Sequence, residues 1–147
     1  MVLFTRKSSK VKQVKKINLK KRILPSNFMQ AYRNFKTHLA TYKHLIESYI
    51  FMKKKFYIVG AGLMLPIINY HLGGLINKAN GILDDDPNKI NKYFLDINTK
   101  IISLKKTNLK KAICLVGTIS SGITTRKLTS ILEKKQAEII LIPTLTF

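Results

Sequence analysis

Acidic residues are scarce in this chain. Seven Asp and Glu stand against 27 Lys and Arg in 147 residues, a formal net charge of +20. A single cysteine excludes an internal disulfide framework and a cysteine-rich zinc module. Three scattered histidines, His38, His44 and His71, argue against a structural metal site. With so little cysteine, a reducing, cytoplasmic setting is the expectation. The basic stretch 1–26, with nine Lys and Arg and no acid, has neither the apolar core nor the cleavage site of a secretory signal. The length suits one domain and is enough to bury a core, but it is too short for a complete two-domain enzyme. Apolar residues at 46% and charged residues at 23% are globular values and argue against a wholly disordered chain.

The positive charge points to nucleic acid or an anionic surface. But Lys, Asn and Ile are abundant throughout, with 20 isoleucines and 10 asparagines. Compositional drift gives the same look, so charge alone selects no partner. Nucleic acid, contacted through residues 6–22 and Lys53–Lys55, stays an alternative partner.

Hydrophobic periodicity divides the rest. Residues 1–23 read as a basic arm or the end of an upstream domain, with Val2–Thr5 as a strand end. Residues 24–50 read as a long amphipathic helical lead-in. Phe28, Tyr32, Phe35, Leu39, Tyr42, Leu45 or Ile46, and Tyr49 recur at three- and four-residue steps there. Pro25 and Ser26 precede the stripe, with Ser26 placed to cap the helix. An aromatic stripe at this spacing is a core face rather than a stacking platform.

From residue 51 onward the texture alternates. Phe56–Val59 reads as a strand, followed by the turn Gly60-Ala61-Gly62. A helix runs from Met64 until Gly73-Gly74 and Asn80-Gly81 weaken or end it. Ile82-Leu83 reads as a second strand, leading into Asp84-Asp85-Asp86-Pro87. This is a βαβ unit. Lys100–Leu104 and Ala112–Val116 read as strands, residues 124–132 as a helix, and Glu138–Ile142 as a last strand. The fold class is therefore α/β: a Rossmann-like, three-layer domain over 51–147 with a mainly parallel sheet. A rival is a membrane span over Phe56–Asn77, 22 residues with no formal charge. Four glycines, a proline and two asparagines within it argue against that reading, and no membrane partner is expected.

The turn Gly60-Ala61-Gly62 lies where such a fold holds a phosphate, because glycine admits close backbone approach. The third glycine of the dinucleotide fingerprint is replaced by Leu65. Asp84 ends the second strand, where an acid binds a ribose diol. The alternative is a tight turn with no ligand. Asp84-Asp85-Asp86 is a poor metal cluster, since neighbouring side chains on an extended segment point apart. Gly117–Gly122 opens another helix with small residues but lacks the Gly-Lys-Ser/Thr ending of a P-loop. Cys114 sits inside an apolar strand and reads as a buried, inert thiol. No nucleophile–base pair is legible, and only Tyr93 and His71 offer acid–base chemistry.

Several of these residues resemble a known family. Gly60-Ala61-Gly62, Asn69-Tyr70, the box Asp84-x-Asp86-Pro87-x-Lys89-x-x-Lys92-Tyr93 and the closing Ile142-Pro143 look like the C-terminal domain of sugar C-methyltransferases, which act on nucleotide-linked deoxysugars. The chain departs from that pattern at Met64-Leu65, where the family has Lys-Gly, and at Asn91, where it has Gly. The resemblance implies nucleotide-sugar contacts from Gly60, Ala61, Gly62, Asn69, Asp84, Asp86 and Lys89. It implies S-adenosylmethionine as cofactor of the full-length family, bound by a domain with no counterpart upstream of Gly60. The implied function is the C-terminal part of such a methyltransferase, not catalytic alone and served by a separate cofactor-binding domain or subunit. A weaker likeness, through Gly81-Ile82-Leu83-Asp84-Asp85, is to the N-terminal domain of nucleotide-sugar acetyltransferases, which implies a standalone nucleotide-binding module.

Overall fold

A computed structural model describes the backbone of residues 26–117 and 122–142, and the side chains of 28–117 and 123–142. The strand expected at Val2–Thr5, the basic arm and the Ser26 cap lie outside these limits.

Helix α1 (Ser26–Phe51) follows the aromatic stripe. Phe35, Leu39 and Ile46 are buried, Tyr32, Tyr42 and Tyr49 are half-buried, and the opposite face is exposed. The helix ends at Phe51, and two residues on Lys53 takes a left-handed φ of 57°. The N–H groups of Lys53 and Lys54 fold back onto the Ile50 and Tyr49 carbonyls, closing the last turn without a glycine.

Six strands follow: β1 (Phe56–Val59), β2 (Gly81–Asp84), β3 (Tyr93–Phe94), β4 (Ile97–Ser103), β5 (Ile113–Val116) and β6 (Glu138–Leu141). They form one sheet in the order β3-β4-β2-β1-β5-β6. All pairs are parallel except the β3–β4 hairpin. The five parallel strands thus run outward from β1 in both directions, the doubly wound order, and the reversal lies between β1 and β5. This mixed α/β architecture is compatible with the Rossmann-like expectation.

Strand alternation sorts the core into two. Phe56, Ile58, Ile82, Ile113 and Leu115 face α1 and α2 (Leu65–His71). Tyr57, Val59, Leu83, Cys114 and Val116 face α3 (Gly122–Lys134), through Leu128 and Leu132. Helix α1 shares one apolar core with the sheet, so the helical lead-in packs as part of the same body.

Four details refine the sequence reading. The uncharged stretch over Phe56–Asn77 is a strand, a turn, a seven-residue helix and part of a 3-10 helix (Leu75–Lys78), not one rod. Among the described residues no helix is long and apolar enough to cross a membrane. The break between α2 and the 3-10 helix falls at Gly73 and Gly74, both left-handed with φ of 64° and 80°. The fourth strand begins at Ile97 rather than Lys100 and pairs with the unexpected β3.

Two connections carry no helix. Residues 85–96 link β2 to β4 through turns and β3. Residues 104–112 carry the chain from β4 past β2 and β1 to β5. Three strand spacings across the sheet and one strand length along it give a diagonal of about 20 Å, within the roughly 30 Å that nine residues reach. Leu104 and Leu109 pin this crossover to the α3 side of the sheet. Lys135 Nζ donates to the carbonyls of Lys105 and Thr107, both at 2.9 Å.

Candidate functional site

The carboxyl ends of β1 and β2 bring together two segments that are 20 residues and more apart in sequence. Gly60 leaves β1 with a φ of 98°, a conformation that only glycine adopts without strain. Its N–H bonds the Leu83 carbonyl at 2.9 Å, which sets the turn against β2. Asp84, the last residue of β2, then closes the unit. Its Oδ2 accepts from the Ala61 N–H at 3.0 Å and from Lys89 Nζ at 3.2 Å. Its Oδ1 accepts from the Asp86 N–H at 3.0 Å. Lys89 Nζ also donates to the Ala61 carbonyl at 3.3 Å and lies 4.0 Å from Asp86 Oδ2. Asp86 Oδ1 accepts from the Asn88 N–H, the turn that Asp86-Pro87-Asn88 foretells.

Burial pushes the Asp84 carboxyl up, but the N–H groups of Asp86 and Ala61 and the Lys89 ammonium together outweigh it. Asp84 is held below the ordinary carboxylate value of 3.8 and stays ionised. Its charge is spent on the turn and on Lys89, so it acts first as a clip on the glycine turn.

The turn leaves a surface open. Gly62 is exposed, takes an ordinary φ, and a Cβ added there meets nothing within 4 Å. Neither backbone strain nor packing demands glycine at this position. The N–H groups of Gly62 and Leu63 donate to no described residue. Beside the turn, a cavity of about 250 Å³ is lined by Gly60, Asp84, Asp85, Leu104, Thr124 and Leu128. It opens on the α3 side, with the first turn of α3 at its wall. Asp85 shapes that wall by accepting from the Lys105 N–H at 3.1 Å. Thr124 is not legible as a site residue, and Asp85 enters the sequence reading only through the rejected metal cluster and the weaker Gly81–Asp85 likeness.

The other expected site residues fall differently. Asn69 is not in this cluster. Its Oδ1 accepts from the Ile76 N–H at 3.1 Å, bracing the 3-10 helix, and it lines a separate groove. His71, expected near the same edge, lies at the end of α2, where its Nε2 and the Tyr32 hydroxyl form a 3.0 Å hydrogen bond. Tyr93 sits in the hairpin opposite Lys100. Gly117 is packed against Ile68; residues 118–121 of the small-residue loop lie outside the described residues. Of Lys53–Lys55, Lys54 is engaged, paired with Glu138 at 3.0 Å and seated over the Tyr49 ring. The basic segment 6–22 lies outside the described residues.

Burial drives the Cys114 thiol up to about 12, so it is no nucleophile at neutral pH. Burial, with Cys114 nearby, raises the Tyr57 phenol as well. Among the described residues no group of three His, Cys, Asp or Glu is arranged to hold a metal ion.

Comparison with known proteins finds no matching family model, no matching curated protein and no matching solved structure.

Proposed function

We propose that the chain is a Rossmann-like nucleotide-sugar-binding module, the counterpart of the C-terminal domain of a sugar C-methyltransferase. In this reading a separate domain or subunit supplies S-adenosylmethionine, and the chain presents the sugar substrate without transferring the methyl group by itself. The observation that carries the reading is the meeting of its two motif segments. Asp84, Asp86 and Lys89 fold onto Gly60-Ala61-Gly62 as one hydrogen-bonded unit at the carboxyl edge of a parallel sheet. The unclaimed N–H groups of Gly62 and Leu63 suit a diphosphate, with the Lys89 ammonium close by. The neighbouring cavity lies at the carboxyl ends of β1, β2 and β4, the sheet edge at which open α/β folds take their ligands. A cytoplasmic setting goes with nucleotide-sugar chemistry and with a free thiol at Cys114.

The test is thermal unfolding with millimolar uridine or thymidine diphosphate sugars. A ligand at a hundredfold its dissociation constant stabilises by about 2.7 kcal/mol, a readily measured rise in Tm. Gly62→Val removes that rise yet leaves the unliganded Tm unchanged, because its side chain projects into open space. A wild-type chain whose Tm ignores every nucleotide sugar, yet which binds mixed RNA with a steep salt dependence, overturns the proposal in favour of a nucleic-acid partner.

A further inference from the structure

A second concave site lies between α2 and the β3–β4 turn, apart from the glycine turn. It encloses about 500 Å³, and its walls include Pro66, Asn69, Tyr70, Leu95, Asp96 and Ile97.

Four features of this groove are not required by the fold. Tyr70 is 80% exposed, so a face of its ring is open to solvent. Leu95 is 75% exposed and takes a left-handed φ of 47°. Hairpin turns give that conformation to Gly or Asn, and an exposed leucine there is strained without any burial to offset it. Asp96 accepts no hydrogen bond and forms no ion pair with any described residue, in a chain where cations outnumber acids nearly fourfold. Asp84, Asp85 and Asp86, by contrast, all accept hydrogen bonds. Asn69 spends its Oδ1 on the Ile76 N–H, which leaves its NH2 group without a described partner.

From these features we infer that the groove between α2 and the β3–β4 turn binds a neutral sugar ring. The apolar C–H face of a pyranose lies on the Tyr70 ring, and the Leu95 side chain covers its rim. Sugar hydroxyls replace water on the two polar groups: they donate to the Asp96 carboxylate and accept from the Asn69 NH2. A few placed polar groups in a mainly apolar groove is the usual build of a small-molecule site. The Asp96 charge disfavours a phosphate at this position, which separates the groove from the glycine turn. This site does not depend on the nucleotide-sugar reading.

The experiment is titration of the isotope-labelled full-length chain with neutral methyl hexosides, followed by backbone and side-chain amide shifts. Saturable shifts are expected at Asn69, Tyr70, Gly73, Leu95 and Asp96, and none at Gly60–Gly62. Tyr70→Ala and Asp96→Asn each weaken binding at least tenfold; both residues are exposed, so the fold persists. Leu95→Gly separates function from architecture: it raises Tm by relieving the turn and weakens hexoside binding. No saturable shifts with any hexoside overturns the inference. So does uridine shifting the same residues while the hexosides leave them unmoved, which makes the groove a base site instead.

Discussion

Asp84→Asn isolates the carboxylate that locks the glycine turn. The native side chain accepts two backbone N–H groups and faces one ammonium. Hydrogen bonds to a charged acceptor contribute about 1.5–3 kcal/mol each. The amide keeps one carbonyl acceptor, so one backbone bond survives in weakened, neutral form and the other N–H faces an NH2. Lys89 is 41% exposed and water screens it, so its ion pair adds only about 0.5 kcal/mol. The expected loss is about 2–3 kcal/mol at pH 7, or roughly 10 °C in Tm. The loss also depends on pH in a known direction. The folded pKa of Asp84 lies below its unfolded value. Its contribution is therefore complete above the unfolded pKa of about 4 and disappears as pH falls through the folded one. Urea unfolding of both chains between pH 7 and pH 3 should show a constant gap down to about pH 5, then a closing one. Equal stability at pH 7, or a gap indifferent to pH, would refute the clip.

Other consequences can be measured directly. Leu39 is fully buried between α1 and the sheet; Leu39→Ala should cost about 2–5 kcal/mol in chemical unfolding, whereas an α1 that is a mere appendage would lose almost nothing. Cys114, buried and with its thiol held up to about 12, should resist alkylation at pH 8 until denaturant unfolds the chain. Rapid labelling of the native protein would contradict its placement in the sheet.

Much of this architecture is written in local sequence. Phe56–Val59 declares itself by β-branched and aromatic residues ending at Gly60, and the structure keeps those limits. Glu138–Leu141 and the helix before it are similarly plain. Strand β3 is not, because it is two residues long and its turn, Leu95-Asp96, carries no Gly or Asn signal. The start of β4 hides behind Asn98 and Lys100, polar residues on the exposed face of an alternating strand. At the site, spacing located Asp84 at a strand end, but not that its oxygens turn back to Ala61; that depends on where a neighbouring loop lies. Compositional drift misleads in a related way. Asn77 looks like background in an Asn-rich chain, Asn80 like a helix-ending signal and Asn69 like a ligand contact, yet each accepts a backbone N–H, from Asn98, Phe56 and Ile76 respectively. Composition counts residues, and only position reveals which of them are hydrogen-bonding fixtures.

The passage from β4 to β5 has a sharper implication. A helix at that place would satisfy its own carbonyls; here two of them lean on the single ammonium of Lys135. Acylating that one amine would remove the charge and leave a single N–H for the two carbonyls. A span that the fold keeps short and bare thus depends on one amine outside it, in the turn after α3.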